Sequence, residues 1–210
     1  MLLLLIVLAA VFAPWLAPAD PYKASMIRRL LPIGSPGYLL GSDELGRDML
    51  TRLMYGGRLS LLMGVLPVLF AFVIGTSLGV IAGYVGGWIN MAIMRTFDVF
   101  YAFPSVLLAV AIAGALSIIR AHVLGNVLGP VFVYATGLVS VSMILASGLS
   151  FLGLGVKPPE AEWGLMLNTL RSAIYINPWL AALPGVMIFV TSMAFNLLAD
   201  GVRSAMDIRR

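Results

Sequence analysis

Leu59-Ser-Leu-Leu-Met-Gly-Val-Leu-Pro-Val-Leu-Phe-Ala-Phe-Val-Ile-Gly-Thr-Ser-Leu-Gly-Val-Ile-Ala-Gly83 carries no charged residue. About 20 apolar residues, rising 1.5 Å each, cross a hydrocarbon core of roughly 30 Å, so this stretch is long enough for a membrane helix. The rest of the chain agrees. Hydrophobic residues make up 61% and charged residues 10%, and mean hydropathy is +1.03. Soluble domains hold about 45–50% apolar and about 25% charged residues. The 210 residues suffice for a compact domain but lack the charges to coat one in water.

Four further runs read as spans or near-spans. Met1 to Ala19 opens without a basic flank and leaves through Pro14-Trp15-Leu16-Ala17-Pro18, which has no A-x-A cleavage pattern. It reads as a clipped anchor span in preference to a signal peptide, with Trp15 suited to an interfacial belt. Val99 to Ile119 contains Pro104, which a membrane helix tolerates when neighbours satisfy the freed carbonyl. Just before it, Arg95 and Asp98 are spaced to pair at a solvated span end. Val123 to Val156 exceeds one crossing, so it is expected to hold a span plus a partly embedded tail, Phe151-Leu-Gly-Leu-Gly155. Ser172 to Ala199 leads into Asp200, Arg203, Asp207, Arg209 and Arg210, which mark a water-exposed end. The expectation is an all-α polytopic membrane bundle with five spans. Its parts are a first span with an outer loop (1–58) and a membrane core (59–210).

Within that bundle, Gly75, Gly79 and Gly83, continued by Gly87, recur every four residues and share one helix face. Such spacing lets a second helix approach closely, which matters in lipid because burial there gives little hydrophobic drive. The long polar stretch Asp20 to Arg58 ends in Ser42-Asp-Glu-Leu-Gly-Arg-Asp-Met-Leu-Thr-Arg52. Asp43/Arg47 and Asp48/Arg52 are spaced i to i+4, and Leu45, Met49 and Leu53 fall on one side. An amphipathic helix lying in the membrane surface is expected, broken by Gly56-Gly57 before the next span.

Several function classes drop out. There is no cysteine and a single histidine, so no disulfide, thiolate site or histidine metal cluster is available. His122 has Arg120 nearby and no acidic residue within twenty positions on either side, which disfavours a proton relay. Ser147 lacks the G-x-S-x-G elbow of a hydrolase. A net charge of +4 is spread over loops and span ends without a basic, aromatic-interleaved run, so a nucleic-acid partner is not expected. There is no catalytic constellation and no G-x-x-x-x-G-K-[ST] phosphate loop, and the only lysines are Lys23 and Lys157. No coupling-ion site stands near midmembrane, as a secondary transporter would need.

Gly41-Ser-Asp-Glu-Leu-Gly-Arg-Asp48 and Arg52-Leu-Met-Tyr-Gly-Gly-Arg-Leu-Ser60 are followed in order by Ala82-Gly-Tyr-Val-Gly-Gly-Trp88, Met94-Arg-Thr-Phe-Asp98, Phe103-Pro-Ser105, Leu149-Ser-Phe-Leu-Gly-Leu-Gly155, Trp163-Gly164 and Ala194-Phe-Asn-Leu-Leu-Ala-Asp-Gly201. In these words and their order the chain resembles the permease subunits of dipeptide, oligopeptide and nickel ABC importers. Gly41, Asp43, Gly46, Arg47, Asp48, Asn196, Asp200 and Gly201 are the motif residues that the resemblance singles out.

The resemblance implies the type I ABC importer permease fold, with six spans and both ends in the cytoplasm. It also implies a second permease as partner, two ATP-binding subunits, an extracytoplasmic solute-binding protein and a bacterial or archaeal inner membrane. No cofactor is expected on this chain; ATP is used by the partner subunits, and the chain itself is no enzyme. The segment Leu152 to Asn168, with Glu160, Trp163 and Gly164, is expected to face the binding protein. The glycine face is expected to pack within or between permeases. The substrate class is peptides or a related small solute such as nickel complexes.

One departure stands out. After the third span the family has another transmembrane helix and then a cytoplasmic helix that docks into the ATPase. Here Ala115-Leu-Ser117 passes directly to Ile118-Ile-Arg-Ala-His-Val-Leu-Gly-Asn126, so Arg120, His122 and Asn126 resemble a remnant of the docking region. Each helix must cross completely, and the family orientation then lacks one crossing near residue 117. Three readings compete: an internal segment left out of the sequence, a real deletion, and a five-span variant with an inverted C-terminal half. A deletion would fit a truncated, non-transporting permease relic or membrane scaffold. Positive-inside counting also opposes the family orientation, because the loop Asp20 to Arg58 holds six basic and four acidic residues.

Overall fold

The computed structural model describes residues 1–101 and 124–207. In chain order the helices are α1 (Leu2–Val11), α2 (Ala13–Leu16), α3 (Met49–Val85), α4 (Gly87–Tyr101), α5 (Leu124–Phe151), α6 (Trp163–Thr169) and α7 (Pro178–Asp207), with 3-10 turns at Met26–Arg28 and Arg171–Tyr175. Among the described residues no strand is present, only isolated bridges at Ser35–Tyr38 and Ser42–Asp48. Three described helices are long and apolar enough to cross a membrane: α3, α5 over Val131–Phe151, and α7 over Pro178–Ala205. α1 is apolar but shorter. The expected run Val99 to Ile119, with Pro104, lies mostly outside the described residues, as do Arg120, His122, Arg209 and Arg210; Asn126 falls in α5.

α5 packs against both α3 and α7. Met143 on α5 sets the level of contact: it sits 3.2 Å from where a Cβ on Gly64 of α3 would stand, and its sulfur receives the Ser192 hydroxyl of α7 at 3.8 Å. Hydroxyls supplement this packing, as is usual where lipid gives no hydrophobic drive. Ser140 donates to the Ser192 carbonyl at 2.7 Å. A core of Met49, Leu53, Met143, Trp163, Met166, Leu170 and Leu180 ties the helices to the loops beyond their ends. The start of α3, the end of α5 and the start of α7 all meet there, so α5 runs antiparallel to its two neighbours. α3 therefore ends on the side of the membrane where α5 begins.

The amphipathic helix expected over Ser42 to Arg52 is not formed. Residues 42–48 make a turn closed by the Ser42–Asp48 bridge, and Asp48 is the N-cap of α3, its carboxylate accepting from Thr51 N at 2.7 Å. Such a cap is worth about 1 kcal/mol. Gly56-Gly57 does not break the helix; α3 runs through it for 37 residues. The break comes at Gly86 and Gly87, with φ of 63° and 54°, so Gly87 opens α4 and does not extend the α3 glycine face. After α5 the helix stops at Phe151 and the chain turns through Gly153 at φ 82°. α7 begins later than the apolar run and continues through Asp200 and Arg203 to Asp207.

Candidate functional site: a buried ionic clamp between two extramembrane loops

Asp43 is the hub of the loop that precedes α3. Its carboxylate accepts from Leu45 N and Arg47 N at 2.9 Å each, and it pairs with Arg47 Nε at 2.6 Å and Arg52 Nε at 3.1 Å. Arg47 also reaches Glu44 at 3.1 Å. Asp43, Arg47 and Arg52 are all buried, so removing the carboxylate would strand two arginines out of water. The i to i+4 pair Asp43/Arg47 does form, though across a turn and not along a helix. The other expected pair does not: Asp48 caps α3, and Arg52 turns to Asp43.

The glycines of the motif have a mechanical reason. Gly41 and Gly46 adopt φ of 79° and 73°, and a Cβ would lie 2.3 Å from the Leu31 carbonyl oxygen and 1.9 Å from that of Ser25. Only glycine fits a positive φ with backbone so close. These contacts fold residues 24–48 back on themselves, with Ser25 N donating to Leu45 O and Met49 N to Gly41 O.

Arg52 then joins this loop to a second one far away in sequence. It donates to the carbonyls of Pro21 at 3.2 Å, Pro159 at 3.4 Å and Glu160 at 3.1 Å. At the surface, the Tyr22 hydroxyl donates to Glu160 at 3.0 Å. That hydrogen bond, with partial burial and the nearby carboxylate charge, raises the Tyr22 phenol above its ordinary value.

Beneath the clamp, Trp163 is 1% exposed. Its ring stands 3.0 Å from where Cβ atoms on Gly56 and Gly57 would be, and its indole N–H donates to the Leu53 carbonyl at 2.9 Å. The buried Glu162 carboxylate accepts from Gly164 N and Leu165 N at 2.8 Å and from the Ser60 hydroxyl at 3.1 Å, capping α6 and tying it to α3. A Cβ on Gly164 would meet the Ser147 carbonyl oxygen at 2.3 Å.

The structure thus gathers Gly41, Asp43, Gly46, Arg47 and Asp48 into one turn and places Glu160, Trp163 and Gly164 against it. Glu160 alone of that trio is exposed; Trp163 and Gly164 are structural supports, because both are buried in the α3–α6–α5 contact. Asn196, Asp200 and Gly201 lie elsewhere, exposed on the distal half of α7. On the α3 face, Gly75 and Gly79 meet nothing within 4 Å among the described residues, nor does Gly87 on α4. Ser60, Glu162 and the Gly56-Gly57 pair were not singled out from sequence for packing. No cluster of metal-ligating residues is present among the described residues.

An all-helical bundle with three membrane-length helices, capped at one end by interlocked polar loops, defines a multi-pass membrane protein. No family model matches the chain. Curated relatives do. The di/tripeptide transport system permease protein DppC of Pseudomonas aeruginosa is 37% identical, covering 98% of this chain and 85% of the relative. The glutathione transport system permease protein GsiD of Pectobacterium atrosepticum is 35% identical, covering 97% and 83%. The dipeptide transport system permease protein DppC of Haemophilus influenzae is 33% identical, covering 98% and 87%. The chain belongs to this family, the permease subunits of peptide ABC importers. A non-transporting relic or scaffold finds no support in these matches. The first match runs over 257 positions, whereas 98% of 210 residues is about 206, so about 50 positions of the relative have no counterpart here.

Proposed function

We propose that this chain is one of two permease subunits that form the pathway of an ATP-driven importer in a bacterial or archaeal cytoplasmic membrane. Short peptides are the favoured cargo, because the relatives are named for di- and tripeptides, dipeptides and glutathione. The carrying observation is the 33–37% identity along nearly the whole chain. ATP is bound and hydrolysed by two separate subunits, and a soluble binding protein delivers the substrate from outside. The clamp end is the outer end in this reading. Two of the six basic residues that oppose this orientation, Arg47 and Arg52, are buried and ion-paired, which softens the conflict with positive-inside counting.

The outer cap is a rigid landing surface: Arg52 and Tyr22 hold Glu160 in place, and Glu160 is the residue offered to the binding protein. Packed, bistable helices then carry the rocking between inward-open and outward-open states. Gly75, Gly79 and Gly83 give α3 a face for the second permease. The roughly 50 positions without counterpart are enough for the missing crossing and the docking helix, since one crossing takes about 20 residues.

Uptake of a labelled dipeptide by cells lacking the native permease tests the function. Restored, ATP-dependent uptake on expression of the full chain with its partner subunits supports it, and membrane insertion without any uptake of peptide or related solute contradicts it. Intact mass tests the segment: 22.4 kDa would eliminate an omitted stretch, and a mass larger by roughly 5 kDa would show one of about 50 residues.

A further inference from the structure

We propose that Arg58 binds the phosphate of an anionic phospholipid, which the orientation proposed above puts in the outer leaflet, anchoring α3 at the level where the polar cap meets lipid. Arg58 is exposed and makes no ion pair or hydrogen bond among the described residues, in contrast to Arg47 and Arg52 on the same stretch of chain. It follows directly on Gly57, whose packing faces Trp163 and Ala10. One residue along a helix turns by about 100°, so Arg58 points away from that contact. At intervals of three or four residues below it on the same outward face come Leu62 (54% exposed), Val65 (39%), Leu69 (53%) and Val73 (54%). That stripe is apolar and uncovered by any described element, as a lipid-facing surface is.

Depth points the same way. Ala10 of α1 lies against Gly57, and five residues further out the exposed Trp15 follows; Trp179 at the start of α7 is likewise exposed. Exposed tryptophans at one end of a bundle mark the headgroup zone, so Arg58 stands just on the inner side of it. A helical side chain leans toward the N-terminus, which on α3 is the capped end, so the guanidinium extends from the apolar stripe toward the headgroups. A buried charge facing hydrocarbon would be costly, and snorkelling to a phosphate removes that cost. The planar fork of arginine matches two phosphate oxygens. Tyr55, one turn nearer the cap, offers a second donor.

The test uses the full chain with its partner subunits in nanodiscs of phosphatidylcholine with a fixed fraction of phosphatidylglycerol, without nucleotide or peptide, and reads retained lipid by native mass spectrometry. The expected result is preferential retention of phosphatidylglycerol by the wild type, a loss of about fivefold in that preference with Arg58→Gln, a smaller loss with Arg58→Lys, and no displacement by inorganic phosphate. A wild type without preference, an unchanged Arg58→Gln, or displacement by free phosphate would each overturn the proposal. So would a variant that keeps its lipids and loses only peptide uptake, since Arg58 would then face the pathway. If Arg58→Gln fails to fold, Arg58→Lys is read in its place, and a preference unchanged from the wild type overturns the proposal.

Discussion

The two halves of α3 use glycine in opposite ways. In the first half Gly56, Gly57 and Gly64 sit against Trp163, Ala10 and Met143, and the helix is locked into the polar cap and α5. In the second half Gly75 and Gly79 meet no described atom within 4 Å. Both halves have the small-residue spacing that permits close approach. Spacing reports that an approach is possible; whether the partner comes from the same chain depends on side chains a hundred residues away.

This contrast can be broken at four points. Asp43→Ala has the largest expected effect, because it leaves Arg47 and Arg52 buried without a countercharge at a cost of about 3–5 kcal/mol. A marked fall in thermal unfolding midpoint in detergent is expected; an unchanged midpoint would show that the clamp adds nothing. Gly164→Ala comes next, since its Cβ would meet the Ser147 backbone; overpacking of this kind costs about 1–3 kcal/mol, visible in the same melting assay. Gly79→Leu should leave that midpoint unaltered yet reduce recovery of the second permease on affinity purification. Equal recovery would remove the open half of α3 from the interface.

The smallest effect belongs to Tyr22→Phe, which removes an exposed hydrogen bond and should stay within about 0.5 kcal/mol. Its sign with pH follows from the raised phenol: the neutral hydroxyl is favoured in the folded state, so the contact helps at neutral pH and is lost as pH climbs past the ordinary tyrosine range. Melting curves of wild type and Tyr22→Phe should therefore converge in alkali. A difference that persists there would show that the Tyr22–Glu160 bond is not its source.

Much of the membrane architecture was legible because uncharged runs obey a length rule: the cores of α3, α5 and α7 sit inside three of the expected runs. The beginning of α3 was not, because a Gly-Gly pair reads locally as a breaker, and only Trp163, distant in sequence, shows that the pair is a seat for an aromatic ring. Trp163 itself misled in the same way. A tryptophan in a polar segment resembles a recognition residue, and its burial depends on Leu53, Gly56 and Gly57. Asp43 and Arg47 paired as their spacing suggested, but four-residue spacing alone did not distinguish a helix from a turn; the positive φ required at Gly46 did. Glu162 carried no local signal strong enough to find, since its third partner, Ser60, lies on another helix.

The central claim is that this multi-pass chain is one half of a pathway worked by separate ATP-binding subunits. Proteoliposomes containing the full chain, the second permease and both ATP-binding subunits test it most directly when labelled dipeptide and loaded binding protein are supplied. ATP-dependent movement of label across the membrane, abolished when this chain alone is left out, is the predicted result. Transport at the same rate without this chain would contradict the account.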